Sequence, residues 1–377
     1  MEVSLKKIVS IVINNFKNDS RVLKENISLQ NAGYDVQVVA LWEEGVKEFE
    51  TVQNIPVHRV VLQSKNWSTN GLIQLLKYFE FIYRVVKGYR DSDIVHCNDL
   101  NTLPVAVIIK KFFNKNVKIV YDAHEYETET LYSTGIRKKI AQKLEKSLIR
   151  YTDRVITVSE TIANEYVRLY NIEKPVLVFN TPYYKEIKPT NIFREKFHIS
   201  KEKNIFLYQG ALSQGRGIEI LLEAFTSLDE NNIIIFMGYG LLEDHIKESA
   251  KKYMNIYFHE AVAPEEVLAY TSSANFGIST IEDSCLSYRY CLPNKMFEYM
   301  MAGLPVIVSD LPEMKKIIEV FNVGVVLHEN SINGMKDAIG ELEKLDKYVL
   351  KENLKQIKHQ YNWEEQERKL LKVYNAL

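Results

Sequence analysis

Short apolar segments alternate with segments of helical periodicity along the whole chain. The apolar segments predict buried strands, and the helical segments predict crossover helices between parallel strands. In the first half, the predicted strands are 7–13, 35–41, 56–62, 93–97, 117–122, 154–158 and 176–179. The clearest predicted helices there are 20–32, 71–88, 136–151 and 159–170. The pattern therefore predicts an α/β fold with a parallel sheet.

A turn-rich segment from Asn180 to Asn191 interrupts this alternation, with prolines at 182 and 189. The alternation then restarts, with predicted strands at 205–210, 233–238, 256–262, 276–280, 305–310 and 323–327. We interpret the chain as two domains, residues 1–183 and 184–359. A last helix at about 360–377 carries an apolar stripe that we expect to pack back on the first domain, formed by Trp363, Leu370, Leu371 and Tyr374.

Length and charge agree with this division and narrow the class of partner. A chain of 377 residues is long enough for about two domains, each with its own core. The 48 Lys and Arg residues nearly balance the 49 Asp and Glu residues, for a net charge of −1. Such a chain has no overall attraction for a polyanion, so nucleic acid is not expected as a partner.

The cysteines and the N-terminus favour the cytoplasm. Cys97, Cys285 and Cys291 include no CxxC pair, and an odd number cannot all be paired within one chain. From Met1 the chain runs almost directly into its first predicted strand, without the apolar core and cleavage site of a signal peptide. No apolar stretch approaches the roughly 18 residues of a membrane span. We expect a soluble, cytoplasmic protein.

A glycine-rich turn joins a strand to a helix within residues 208–225. It contains Gly210, Gly215 and Gly217, with Arg216 at the predicted helix start. Glycine lets backbone amides approach an anion, and arginine offers a forked cation to a phosphate. An ordinary turn with a surface arginine is the alternative interpretation.

A second turn of the same kind contains Gly238 and Gly240, again between a strand and a helix. Its presence favours the phosphate interpretation of both turns. Neither turn has the GxGxxG spacing with an acidic residue about twenty positions later. A nicotinamide cofactor is therefore disfavoured.

The segment 292–313, LPNKMFEYMMAGLPVIVSDLPE, is the most informative part of the sequence. A helix that begins after Pro293 presents free backbone N–H groups and the positive end of its dipole to an anion. Lys295 lies at this helix start, and Glu298 lies inside the helix. A solvated lysine is an equally acceptable interpretation of Lys295.

Taken together, these segments resemble the C-terminal, nucleotide-sugar-binding half of glycosyltransferase family 4. The first half resembles the acceptor half of the same family through NDSRVLKENISLQNAGYDVQVVAL, DIVHCNDLNTLP, VYDAHE and RVITVSE. The resemblance implies the GT-B fold, in which two Rossmann-like parallel-sheet domains face each other across a cleft. It also implies sugar transfer with retention of configuration from a nucleotide diphosphate sugar. We expect a UDP-sugar rather than a GDP-sugar, and no metal or other cofactor.

By this resemblance, Glu298 accepts hydrogen bonds from the ribose hydroxyls of the donor. The family has a second glutamate at the position of Tyr290, so this chain departs from the pattern there. Glu282 or Asp283 would be the substitute. The resemblance assigns donor contacts to Gly210, Gly215, Gly238, Gly240, Val262, Tyr290, Asn294 and Glu298.

A further departure is Ala211, where many relatives carry an arginine for the diphosphate. Arg216 and Lys295 would then neutralise the leaving group. His124 in YDAHE matches a family histidine near the donor sugar and completes the expected catalytic set, with a structural histidine as the alternative.

In the first half, four residues are candidates for the acceptor side: Asp19, Arg21, His96 and Asp99. Roles in turns, and capping of a helix by Asp19 or Ser20, are the alternatives. Residues 136–154 carry seven basic residues and two acidic ones on a predicted amphipathic helix. This helix face suits an anionic membrane surface, or else it is simply solvated.

These expectations combine into one predicted function and two rivals. The predicted function is transfer of a hexose to a glycan or lipid-linked acceptor, by a cytoplasmic, membrane-peripheral enzyme of bacterial cell-surface polysaccharide synthesis. One rival is a sugar-nucleotide epimerase, for which the carboxylates Asp19, Asp99 and Glu125 are few. The other rival is a non-catalytic nucleotide-sugar-binding subunit, suggested by Tyr290 and Ala211.

Overall fold

The computed structural model describes residues 5–377. Met1, on which the expectation of no signal peptide is based, lies outside the described residues. The chain forms two compact units. The first comprises the residues up to Val178 together with Glu367–Leu377, and the second comprises Phe179–Gln366. The predicted domain boundary after residue 183 falls just beyond Val178, in a segment without regular secondary structure.

The first unit contains a sheet of eight strands. The strands are β1 Lys7–Ile11, β2 Asp35–Leu41, β3 Phe49–Val52, β4 Ile55–Val60, β5 Ile94–Asn98, β6 Lys118–Ala123, β7 Arg154–Thr157 and β8 Val176–Leu177. Their order is β3-β4-β2-β1-β5-β6-β7-β8, and among the described strands only β3 and β4 pair antiparallel. The sequence prediction missed β3, because its half-polar FETV segment lacks the apolar run of a buried strand.

Five helices of the first unit connect these strands: α1 Ser20–Asn31, α2 Gly71–Tyr89, α3 Leu103–Phe112, α4 Gly135–Leu148 and α5 Glu160–Tyr170. The predicted helix 136–151 ends as an α-helix at Leu148 and continues as a 3₁₀ turn, Ile149–Tyr151. Asp19 caps α1, since its carboxylate accepts a hydrogen bond from the backbone N–H of Val22 at 3.2 Å.

The second unit contains six parallel strands in the order β11-β10-β9-β12-β13-β14. The strands are β9 Asn204–Ala211, β10 Asn232–Tyr239, β11 Ile256–Glu260, β12 Phe276–Ser279, β13 Val306–Ser309 and β14 Gly324–Leu327. The helices are α6 Ile192–Phe197, α7 Ile218–Thr226, α8 Glu243–Lys252, α9 Val267–Thr271, α10 Leu286–Arg289, α11 Asn294–Ala302, α12 Pro312–Phe321, α13 Ile332–Lys344 and α14 Lys347–Gln360. Both units are therefore Rossmann-like, as predicted.

The last helix, α15 Trp363–Asn375, begins in the second unit and ends in the first. Trp363 is fully buried, and its backbone N–H donates to the carbonyl of Pro182 at 2.8 Å. At the other end, the Tyr374 hydroxyl forms a hydrogen bond with His96. The predicted return of the C-terminal helix to the first unit is confirmed. Among the described residues, no helix is both long and apolar enough to cross a membrane.

Close backbone contacts shape the carboxyl ends of β9 and β10. Gly238 pairs with Gly210, and a Cβ atom on Gly238 would lie 1.9 Å from the Gly210 carbonyl oxygen. A Cβ atom on Gly240 would lie 2.4 Å from the Leu212 carbonyl oxygen. Any larger residue at either position would overlap the neighbouring backbone. The predicted glycine turns thus allow β9 and β10 to lie in close contact at their carboxyl ends.

Candidate active site

A cavity of about 350 Å³ lies in the second unit, where β9 ends and α11 begins. Its lining residues are Tyr208, Gln209, Gly210, Ala211, Arg216, Pro293, Asn294, Lys295 and Glu298. In an open parallel sheet, ligands bind outside the carboxyl ends of the strands. This cavity has that position, and it combines two cations with one carboxylate.

Lys295 is the second residue of α11, and its side chain is 8% exposed. Its ammonium lies 3.6 Å above the centre of the Tyr208 ring, and its Nζ has no hydrogen-bond partner among the described residues. Burial lowers the pKa of Lys295 well below its ordinary value, and the charge of Arg216 lowers it further against the opposing charge of Glu298. The position also opposes the helix dipole, which disfavours a cation in the first turn.

Arg216 lies one residue before Gly217, the N-cap of α7. Its guanidinium carbon is 4.7 Å from the centre of the Tyr288 ring, and its buried Nε has no hydrogen-bond partner among residues 5–377. The backbone is held in place because Thr280 Oγ1 donates to the Arg216 carbonyl at 2.8 Å. Arg216 is therefore a second cation that lines the cavity with Lys295, and its Nε–H is available to donate a hydrogen bond to a ligand.

Glu298 lies one turn further along α11, and a short relay orients its carboxylate. The Gln209 amide nitrogen donates to Glu298, while the Gln209 amide oxygen accepts from the Thr271 hydroxyl at 2.8 Å. Gln209 is 3% exposed, so its amide has a single arrangement that satisfies both partners. The carboxylate is therefore held at the cavity wall by residues of β9 and α9.

Tyr299 attaches α11 to the sheet. Its fully buried ring packs over Gly277, where a Cβ atom would lie 2.3 Å from the ring. Its hydroxyl accepts from the Gln209 backbone N–H at 2.8 Å and donates to the Ile278 carbonyl at 3.2 Å. These bonds connect α11 to β9 and β12, so the helix that carries Lys295 and Glu298 has a fixed position over the strand ends.

The structure brings together only some of the predicted donor residues. Gly210, Arg216, Asn294, Lys295 and Glu298 line the cavity. Gly215 precedes Arg216 in the turn and has a positive φ of 77°. Gly238 and Gly240 shape the turn beside this cavity but do not line it.

Two predicted donor contacts, Val262 and Tyr290, are not among the lining residues of this cavity. The strand predicted at 256–262 ends at Glu260, so Val262 lies in the following loop and packs against the core. Tyr290 is the C-cap of α10. Of its proposed substitutes, Asp283 forms an exposed ion pair with Arg289 at 2.7 Å.

Sequence reasoning missed Tyr208 and Gln209, which lie side by side in β9 directly before Gly210. The signal that would have identified Gln209 is a polar residue at the end of an otherwise apolar strand. Nothing in the sequence indicates that the Tyr208 ring lies beneath Lys295, because the two residues come from separate elements.

A second charged cluster lies in the first unit around Asp122, at the carboxyl end of β6. The carboxylate of Asp122 accepts from Arg21 Nε at 3.0 Å and from Arg21 Nη2 at 2.7 Å. Arg21 also donates to the Val178 carbonyl at 2.8 Å and lies 3.2 Å from Glu25. The guanidinium is 5% exposed and is engaged by these partners, so its contacts within the chain are structural, and the acceptor contact stays a prediction.

His124 is part of the same cluster. Its Nε2 is 2.9 Å from Asp122, and its Nδ1 is 3.4 Å from Asp99. Although burial disfavours the imidazolium, these two carboxylates raise the pKa of His124 to about 9. His124 therefore carries a proton at neutral pH. Asp99, at a positive φ of 64°, holds the imidazolium from the side opposite Asp122.

The remaining acceptor-side candidates also have structural partners. The second carboxylate oxygen of Asp19 accepts from the Asn14 amide at 2.8 Å, in addition to capping α1. His96 is 1% exposed, and its ring stacks on Tyr374 with centroids 6.1 Å apart. Capping explains Asp19, and packing against the C-terminal helix explains His96.

One group of three side chains among the described residues has metal-ligand spacing: Glu25, Asp122 and His124. Burial raises the pKa of Glu25 to about 7, against the charge of Arg21. Although burial opposes its ionisation, Arg21 and His124 hold the pKa of Asp122 well below its usual range. The guanidinium of Arg21 already contacts both carboxylates, so it occupies the place that a metal cation would take.

Comparison with known proteins gives the class. Two family models match in succession, Glycosyltransferase Family 4 at residues 27–182 and Glycosyl transferases group 1 at residues 189–363. An uncharacterised glycosyltransferase of Methanocaldococcus jannaschii is 20% identical over 369 residues, which cover 91% of this chain and 90% of the relative.

Solved structures show the same fold. Sucrose-phosphate synthase of Thermosynechococcus elongatus has a TM-score of 0.80 at 16% identity, with 98% of both chains covered. HepE of Anabaena, solved with UDP and glucose, has a TM-score of 0.75 at 16% identity, with 99% of this chain and 100% of HepE covered. The chain belongs to glycosyltransferase family 4 and is a glycosyltransferase of the GT-B type.

The buried ammonium of Lys295 should cost stability in the free protein. Replacing Lys295 with methionine removes a desolvated cation from the first turn of α11, so we expect the free energy of unfolding to rise by about 1 kcal/mol. Urea denaturation of the free protein measures this change. Lys315→Met is the matched control, because Lys315 lies at the start of α12 in an ion pair with Asp310. A destabilised Lys295→Met variant would contradict the description of this site.

The raised pKa of His124 predicts a pH-dependent stability. The folded pKa of about 9 exceeds the ordinary value of 6.5, so the stabilising contribution is complete below pH 6.5 and is lost as the pH rises through 9. Between pH 7 and pH 9 we expect a decrease of about 2 kcal/mol in the free energy of unfolding, which His124→Gln should abolish. His328→Gln, an exposed histidine, should retain the decrease. If the free energy of unfolding of His124→Gln fell between pH 7 and pH 9 as much as that of the parent protein, the His124 imidazolium would not be its cause.

Proposed function

We propose that this glycosyltransferase transfers a hexose from a UDP-sugar to a hydroxyl group of a glycan or a lipid-linked acceptor, with retention of configuration. The observation that carries the proposal is the buried, hydrogen-bond-deficient ammonium of Lys295 beside Arg216 at the start of α11. A lysine placed where burial disfavours its charge indicates an anionic ligand, because such a ligand would stabilise the ammonium form. The diphosphate of a nucleotide sugar is that ligand.

In this proposal the second unit stabilises the leaving group. As the bond between sugar and diphosphate breaks, negative charge grows on the β-phosphate. Lys295, Arg216 and the free backbone N–H groups at the start of α11 are already oriented toward that charge, and a preorganised environment of this kind lowers the barrier without reorganisation. The cavity lining then needs no metal ion to neutralise the diphosphate.

Glu298 recognises the nucleotide in this proposal, by accepting hydrogen bonds from the ribose hydroxyls. The relay through Gln209 and Thr271 fixes the carboxylate before the ligand arrives. Such a charge-assisted bond contributes about 1.5 to 3 kcal/mol. The bound UDP of HepE supports uracil over guanine as the donor base.

The proposal places His124 near the donor sugar as a fixed positive charge, held by Asp122 and Asp99, which stabilises the negative charge that develops during transfer. A leaving phosphate oxygen takes the proton of the acceptor hydroxyl, which requires no separate catalytic base. The enzyme acts in bacterial cell-surface polysaccharide synthesis, in the cytoplasm and at the membrane periphery.

Turnover of the donor tests this function against its two rivals. With a UDP-hexose, the proposal predicts release of UDP, and replacement of Arg216 by alanine should lower the rate by about a hundredfold or more because one preorganised cation is lost. Arg289→Ala is the matched control, since Arg289 is exposed and paired with Asp283. Chromatography of the products measures UDP and any epimerised donor.

Each rival has a distinct outcome in the same experiment. An epimerised sugar still attached to UDP would establish the epimerase. Tight binding of the donor by calorimetry with no UDP release, even with a range of acceptors, would establish the binding subunit. Full activity of Arg216→Ala would contradict the assigned role of Arg216.

A further inference from the structure

Helix α4 of the first unit carries a row of apolar side chains on its outer surface. Ile136 and Ile140 are 77% and 60% exposed, and Tyr132, just before the helix, is 90% exposed. The row continues to Leu144, and a spacing of four residues places these side chains on one helix face. In a helix that only covers a sheet, such a row normally faces the core.

Basic side chains accompany this row. Arg137, Lys139, Lys143 and Lys146 are exposed, and none of them forms an ion pair with another described residue. Lys138 is the exception, because it pairs with Glu129 at 2.6 Å. The outer surface of α4 therefore combines apolar and cationic groups.

The one acidic residue of α4, Glu145, does not offset these charges. It is fully buried and accepts hydrogen bonds from the hydroxyls of Tyr121 at 2.7 Å, Tyr166 at 2.8 Å and Tyr170 at 2.5 Å. Its carboxylate thus faces the interior of the unit. The amphipathic pattern of this segment is consequently stronger in the folded protein than in the sequence, where Glu145 counts against the basic residues.

A second apolar row lies on α2. Leu72, Leu75, Leu76 and Phe79 are between 48% and 77% exposed. Helices α2, α3 and α4 follow one another as crossovers between parallel strands, and α3 contacts both neighbours. Because crossover helices run antiparallel to their strands, the N-terminal halves of α2 and α4 both lie toward the carboxyl ends of the strands.

We infer that α4, together with the apolar row of α2, is a docking surface for a bilayer rich in anionic phospholipid. An interfacial helix combines an apolar face that enters the acyl boundary with Lys and Arg side chains that contact lipid phosphates. A second copy of this chain fits this surface less well, because a twofold contact would bring the two unpaired cationic rows together. This inference supplies the surface for the proposed peripheral location, and its test does not depend on catalysis.

Vesicle flotation of the full chain tests the inference. We expect binding to vesicles of equal parts phosphatidylglycerol and phosphatidylcholine, and little binding to phosphatidylcholine alone. Replacing Arg137, Lys139, Lys143 and Lys146 with glutamine should weaken binding by about tenfold or more, because each basic residue contributes to attraction at the surface. Lys251→Gln/Lys252→Gln, on α8 of the second unit, is the charge control and should bind as the parent protein does.

A second pair of variants tests insertion separately from charge. Ile136→Gln/Ile140→Gln keeps every cation, yet should also lose about tenfold in affinity because the apolar face no longer enters the bilayer. Val320→Gln/Val349→Gln is the control, since these valines are exposed on helices of the second unit. Release of UDP from a soluble donor should be the same in all four variants, so a docking failure is distinct from a failure of the proposed transfer.

Three results would overturn the inference. The first is equal binding of the parent protein to neutral and anionic vesicles. The second is vesicle binding by both α4 variants that equals that of the parent protein. The third is that the α4 variants lose a self-association seen in the parent protein while their vesicle binding does not change. Light scattering measures the third, which would assign the surface to contact between copies of this chain.

Discussion

The ammonium of Lys295 is the constraint around which the second unit is organised. It is desolvated, it lies in the first turn of a helix, and it lies beside another cation. Each of these conditions raises the free energy of the folded protein. The structure maintains them through Tyr299, which fixes α11 to two strands, and through glycine positions that hold β9 and β10 in close contact. The diphosphate site that we propose accounts for this arrangement.

In the charged cluster of the first unit, unlike at Lys295, opposite charges lie next to one another. Arg21, Asp122 and Glu25 are more deeply buried than the cations of the second unit, but their charges compensate one another within hydrogen-bonding distance. The network also includes His96, which the C-terminal helix contacts through Tyr374. These contacts join α1 to β6, and β5 to the C-terminal helix. His124 lies at the margin of this cluster and is partly exposed to solvent, which separates it from the buried residues around it.

Much of the fold was predictable from the sequence, because parallel strands buried on both faces leave a clear apolar signal. The edge strand β3 was missed for the converse reason, since its alternating polar residues resemble a loop. In the site, the glycine turns and the start of α11 were predictable because their chemistry is local. The relay from Thr271 through Gln209 to Glu298 was not, because it joins residues 62 and 89 positions apart. The same limit applies to Arg21, whose partner Asp122 lies 101 positions away.

The central claim is that Lys295 and Arg216 hold a diphosphate while Glu298 holds the adjoining ribose. The most direct test is a crystal structure of the protein with UDP. The account predicts the β-phosphate within about 3.2 Å of Lys295 Nζ and a ribose hydroxyl at a similar distance from the Glu298 carboxylate. UDP bound with its phosphates away from Lys295, or outside this cavity altogether, would contradict the account.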